Sequence, residues 1–144
     1  MKTNEMLSHI DDERVVAAIH AVESSSSGEV RVCITGRSVD DPVIEAWKAF
    51  ARMKMNQTRQ RNAALVFIAP KTRKFAIVGD EGLQRHCEAD FWNQLAAELA
   101  VGFRKECYTE ALTRVIDRIG GVLNLHFPPQ RNDHDELPNE IVRE

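Results

Sequence analysis

Two apolar runs, Ala63-Ala64-Leu65-Val66-Phe67-Ile68-Ala69 and Phe75-Ala76-Ile77-Val78, flank a short turn, Pro70-Lys71-Thr72-Arg73-Lys74, and lead into an exposed-looking loop, Gly79-Asp80-Glu81-Gly82. Runs this short, separated by so few residues, constrain the chain to an antiparallel hairpin. If they pair, Arg61 and Asn62 lie opposite Asp80, Glu81 and Gly82, so the open end of the hairpin gathers charge. The first run has no polar alternation, which predicts a central strand covered on both faces. A small anion or a divalent ion would find its best-placed polar groups at that open end.

The 144-residue chain fits one domain, long enough to bury roughly two thirds of its unfolded-chain surface. A net charge of −3 does not require nucleic acid or an acidic membrane as partner. The charge is unevenly spread. Arg52 to Lys74 holds seven basic residues and no acidic one, whereas Asp133 to Glu144 holds five acidic residues and Arg143. One basic face and one acidic tail are expected, with the tail able to lie across that face. Cys33, Cys87 and Cys107 are odd in number and form no Cys-x-x-Cys pair, which fits a reducing compartment rather than a disulfide framework or a thiolate zinc site. No apolar run approaches the roughly 20 residues that span a bilayer, and Met1 to Asp12 does not read as a secretory signal. The expectation is a cytoplasmic protein.

Asp11 and Asp12 offer a cap ahead of Val15, Ile19 and Val22, a helical stripe ending in the serines before Gly28. Glu29-Val30-Arg31-Val32-Cys33-Ile34 then alternates as a strand, with Val30, Val32 and Ile34 on one face. Pro42 opens a second helix running to about Met55, whose expected core stripe is Ile44, Trp47, Ala51 and Met55, with Phe50 beside it. Asp90 precedes a helix carrying Phe91, Trp92, Leu95 and Leu99. A last helix carries Ala111, Leu112, Val115, Ile116, Ile119 and Leu123 and stops near His126, before Phe127-Pro128-Pro129. Residues 1–129 are expected to form the domain and residues 130–144 a polar, acidic tail anchored by Leu137 and Ile141. The element order predicts an α/β domain with a small mixed sheet, and a right-handed crossover makes the first two strands parallel. That places Glu29 at the same end of the sheet as Arg61 and Asp80.

Several ordered segments carry a resemblance: Ser27-Gly28-Glu29-Val30-Arg31-Val32, then Arg61-Asn62, then Arg73-Lys74-Phe75-Ala76-Ile77-Val78-Gly79-Asp80-Glu81-Gly82. Phe91-Trp92, Gly102-Phe103, Tyr108, His126-Phe127-Pro128 and Glu136-Leu137-Pro138-Asn139-Glu140-Ile141 continue it. Together they resemble the short, single-domain bacterial branch of the TPM domain family. The resemblance implies a three-layer, Rossmann-like α/β/α sandwich with a central β-hairpin. Plant proteins similar to this one are thylakoid proteins linked to photosystem repair and described as acid phosphatases, and other members resemble membrane-anchored accessory proteins. The chain departs from those relatives in having no recognisable anchor, in Ala63 where many have glycine, and in Gly-Asp-Glu-Gly where many have a Gly-Tyr-Gly type of loop.

Two readings of the hairpin's open end stand side by side. In one, Asp80 and Glu81 are catalytic candidates and, with Glu29, candidate ligands of calcium or magnesium. Arg61 and Asn62 then hold a phosphate. In the other, Arg61 simply pairs with Asp80 or Glu81 and closes the hairpin. His86 and Asp90 are four apart, yet two ligands do not make a zinc site. His126 stands at a helix C-terminus, where the dipole favours it. No Gly-rich phosphate loop, Gly-x-Ser-x-Gly elbow or His-Glu-x-x-His occurs. No aromatic side chain is interleaved among the basic residues as nucleic-acid stacking requires. The expected function is a non-catalytic interaction or accessory module with an unknown protein partner. The alternative is a weak divalent-metal-dependent acid phosphatase, and the oligomeric state is left open.

Overall fold

The computed structural model describes residues 3–130 and 139–144. Helices α1 (Thr3–Ser8) and α2 (Asp12–Ser24) precede strand β1 (Glu29–Ile34), then come α3 (Pro42–Arg52), β2 (Ala63–Ala69) and β3 (Lys74–Gly79). Helices α4 (Glu81–Gln84), α5 (Phe91–Arg104) and α6 (Tyr108–His126) follow, and β4 (Val142–Arg143) ends the chain. The sheet order is β3-β2-β1-β4, with β1 parallel to β2 and to β4, and β3 antiparallel to β2. The fold is therefore the mixed α/β arrangement that the element order predicts, with β2 inside the sheet. Among the described residues no helix is long and apolar enough to cross a membrane.

The pleat divides the core. Val30, Val32, Ile34, Ala64, Val66, Ile68 and Ile77 face a large cluster built with α2, α5 and α6. Leu65, Phe67, Ala76 and Val78 face a smaller cluster with α3. Asp11 caps α2 by accepting from the Arg14 N–H, and Asp41 caps α3 by accepting from Val43 and Ile44, ahead of Pro42.

The structure corrects four expectations. The buried face of α3 is Ala46, Ala49 and Phe50, whereas Ile44, Trp47 and Ala51 face outward. Both stripes have helical spacing, and the alanines win because they let the helix sit close on Leu65, Phe67 and Val78. The helix also ends at Arg52, and Met55 is buried in a separate one-turn 3-10 helix, Met55–Gln57, entered through a left-handed Lys54. The segment at residues 79–82 is not an irregular loop, and only Glu81 in it is exposed. Gly79 closes β3, and Asp80 and Gly82 are buried at the start of α4. Finally, α1 and β4 are elements that the sequence pattern does not reveal. In the tail, Ile141 is buried in the larger cluster, and Glu144 forms ion pairs with Arg52 and Arg37. Leu137 and the acidic residues 133–136 lie outside the described residues.

Candidate functional site

Register brings the hairpin's open end together. Ala64 stands opposite Gly79, and the Asp80 N–H donates to the Ala63 carbonyl at 2.9 Å. The chain then turns into α4, whose N-cap is Asp80, accepting from the Glu81 N–H at 2.8 Å. Across from it, Arg61 donates from Nε to Asp80 Oδ2 at 2.7 Å and from Nη2 to Oδ1 at 3.0 Å. The Asp80 side chain is 5% exposed and that of Arg61 43%. Glu81 approaches the same guanidinium at 3.5 Å with its side chain 66% exposed, so it contributes far less than Asp80.

Arg61 holds this position with φ at 52°, in the left-handed region. For a non-glycine residue that conformation costs roughly 1–2 kcal/mol. The two charge-assisted hydrogen bonds to buried Asp80, screened on the exposed side of Arg61, work against that backbone cost. The hydrogen bonds from Asp80, and then its charge, raise the Arg61 guanidinium above its ordinary pKa. The neighbouring glycines serve space rather than turn geometry, since no glycine among the described residues has positive φ. A Cβ on Gly82 would collide with the carbonyl oxygens of Gln60 and Arg61, and one on Gly79 with the Trp92 ring.

The remaining candidates lie differently. Asn62 is buried and donates from Nδ2 to Ser27 Oγ at 3.4 Å, and Ser27 Oγ donates to Gln60 Oε1. Its amide thus ties the start of β2 to the loop before β1. Glu29 is buried at the start of β1, opposite Ala63. Its backbone and that of Asp80 are therefore separated by β2, on the order of 10 Å. The structure brings Arg61, Asp80 and Glu81 into one cluster and sets Asn62 and Glu29 beside it on separate strands. Both Asp80 oxygens accept hydrogen bonds from Arg61, so a cation at Asp80 would have to displace the guanidinium. Among the described residues no three His, Cys, Asp or Glu side chains are grouped to hold a metal ion.

Two further features were not foreseen in the sequence. His86, just after α4, stacks on His126 with ring centroids 4.1 Å apart and planes 14° apart, and Phe127 meets it edge-on at 5.4 Å. Burial, then the charges of His126 and Arg85, lower the His86 pKa. The pair joins residues forty positions apart, so no local spacing could have signalled it. The second feature is the outer face of α3, where Val43 is 45% exposed, Ile44 53% and Trp47 39%. Its signal was present as a second apolar stripe on one helix, more than a single buried face can use.

Comparison with known proteins places this arrangement. A family model described as TPM domain matches residues 1–122. The solved structure of the BA42 protein from the psychrophilic bacterium Bizionia argentinensis is 30% identical, with a TM-score of 0.81 over 94% of this chain and 95% of that one. The N-terminal domain of a protein from P. gingivalis, 17% identical, aligns with a TM-score of 0.63 over 83% of this chain and 76% of that one. An N-terminal domain from Corynebacterium glutamicum, 14% identical, gives 0.59 over 86% and 80%. The last two share the fold alone. No curated protein matches the chain.

Proposed function

The chain belongs to the TPM domain family, and from that premise we propose that it is a non-catalytic interaction module that docks a protein partner through the outer face of α3. The observation that carries the reading is the clustering of exposed apolar side chains. Five large apolar side chains are exposed among the described residues, and three of them, Val43, Ile44 and Trp47, lie within five consecutive positions of one helix. Scattered exposed apolar residues are ordinary, whereas a contiguous group marks an interaction surface. Trp47 also has the character of a binding anchor: a large ring, held edge-on against Phe50 at 5.1 Å.

Unpaired charges past the end of the helix bear on the chemistry of the partner we propose. Beyond the C-terminal end of α3, Lys54 and Arg59 are exposed and have no carboxylate partner among the described residues. An amphipathic segment with an apolar face and acidic groups at one end complements that surface. Burying what remains exposed of Val43, Ile44 and Trp47 contributes on the order of 5 kcal/mol before the cost of association, which fits a contact of modest affinity.

The test is selection of a helical peptide library on the whole protein, with Trp47→Glu as the counter-target. Peptides with apolar positions at helical spacing and acidic residues at one end, binding at least about tenfold more weakly to Trp47→Glu, support the reading. Peptides that bind both proteins equally overturn it. The alternative, a weak phosphatase dependent on calcium or magnesium, uses Asp80 and Glu81 as base or ion ligands. In it Arg61 and Asn62 hold the phosphate, with Glu29 as a third ion ligand. Metal-stimulated turnover of p-nitrophenyl phosphate that Asp80→Asn abolishes without unfolding the protein would replace the module with the enzyme.

A further inference from the structure

The turn end of the β2–β3 hairpin faces a cavity that neither reading uses. It has a volume of 310 Å³, and its apolar wall is made by Met6, Phe75, Ala100, Phe103 and Tyr108. That volume is at the lower end of the range for small-molecule sites, about 300–1,000 Å³. The wall is fixed by its own rings. Phe75 meets Phe103 edge-on at 5.1 Å, and Phe103 meets Tyr108 edge-on at 5.0 Å. An apolar ligand therefore meets a preformed surface.

The polar lining is made by Arg73, Arg104 and Glu106. Arg73 and Arg104, like Arg59 and Arg114 and unlike Arg14, Arg37, Arg52, Arg61, Arg118 and Arg143, have no carboxylate partner among the described residues; what sets them apart is that both line one cavity. Arg104 lies in the last turn of α5, where the helix dipole alone would favour a cation. Arg73 comes from a different element, the turn before β3, and lines the same cavity. Among the described residues, two of the four non-glycine residues with positive φ line this cavity, Arg73 at 54° and Glu106 at 62°.

We infer that this cavity binds a small carboxylate with an aromatic or short aliphatic body, the body against the ring wall and the carboxylate on Arg73 and Arg104. Guanidinium groups suit a planar carboxylate. The rim carries two arginines and one glutamate, so a single negative charge balances it better than a phosphate dianion does. The apolar wall supplies affinity, and the arginines choose the acid over its neutral analogues.

The experiment is an amide and methyl NMR titration of the full chain with 3-phenylpropionate, octanoate and the neutral 3-phenylpropanamide. Saturable shifts confined to the cavity residues are expected for both acids, with 3-phenylpropionate binding about tenfold more tightly than the amide. Arg73→Gln and Arg104→Gln should each weaken the acid several-fold while leaving the amide unchanged. Ala100→Phe should fill the cavity and abolish binding with an otherwise native spectrum. Equal affinity for acid and amide, acid binding that survives Ala100→Phe, or no saturation at millimolar ligand overturns the assignment.

Discussion

Each end of the β2–β3 hairpin carries an arginine in the left-handed region, Arg61 at 52° and Arg73 at 54°, and the two ends use it differently. At the open end the guanidinium turns inward onto buried Asp80, and the pair becomes part of the fold. At the turn end a one-turn 3-10 helix, Pro70–Thr72, and the bond from the Arg73 N–H to the Pro70 carbonyl at 3.1 Å hold the backbone. The Arg73 side chain is then left over an apolar cavity. The same residue type in the same conformation is thus structural where the chain supplies a carboxylate and available for recognition where it does not.

The sharpest way to break this comparison is to remove the partner at one end and the arginine at the other. Asp80→Ala deletes two charge-assisted hydrogen bonds and the N-cap of α4, and leaves a half-buried guanidinium. A loss of about 3 kcal/mol is expected, moderated by the exposed side of Arg61. Arg73→Ala should stay within about 0.5 kcal/mol of the wild type. Urea denaturation of both variants decides the matter. Similar losses at the two ends would mean that Asp80 is as dispensable as a surface charge.

A smaller effect separates backbone cost from side-chain gain. Glycine adopts positive φ freely but adds entropy to the unfolded chain. Among the described residues the Arg73 side chain makes no hydrogen bond or ion pair to weigh against that relief, so Arg73→Gly should be neutral to about 1 kcal/mol more stable. At Arg61 the same change also loses both bonds to Asp80, and a net loss of stability is expected. The melting temperature should therefore fall for Arg61→Gly and hold or rise for Arg73→Gly. A gain at Arg61 would show that the ion pair does not hold the open end.

The open end was legible in the sequence because it follows from strand register. Once Ala63–Ala69 pairs with the run from Phe75 to Val78, Arg61 must meet Asp80. The parallel crossover placed Glu29 at that end for the same reason. What could not be read depends on contacts between distant segments. The two stripes of α3 have equal helical spacing, and only the sheet beneath decides that Ala46, Ala49 and Phe50 go inward. The elements α1, α4 and β4 have six residues or fewer, too few to show a period. Gly79 and Gly82 read as turn residues but are required by Trp92 and by the Gln60 and Arg61 carbonyls. The cavity draws on α1, β3, α5 and the start of α6, residues 6 to 108, so no local motif announces it.

The smallest expected effect is a pH dependence confined to the open end. His86 follows α4 and faces His126 from α6, with Arg85 next to it in the chain. Burial first, and then those two charges, lower its pKa from 6.5 in the folded protein. In the unfolded chain His86 returns to the ordinary value. As pH falls below about 6.5, the unfolded state therefore binds the proton before the folded state does, and stability declines. The decline continues until pH passes the lower folded pKa and then levels off; above about 6.5 both states are neutral and His86 contributes no slope. Denaturation midpoints at about pH 7.5 and about pH 5 should thus differ less in His86→Gln than in the wild type. Arg73→Gln, at the other end of the hairpin, should keep the wild-type slope. An unchanged slope in His86→Gln would place the titration elsewhere in the molecule, and a flattened slope in Arg73→Gln would mean that the two ends are coupled.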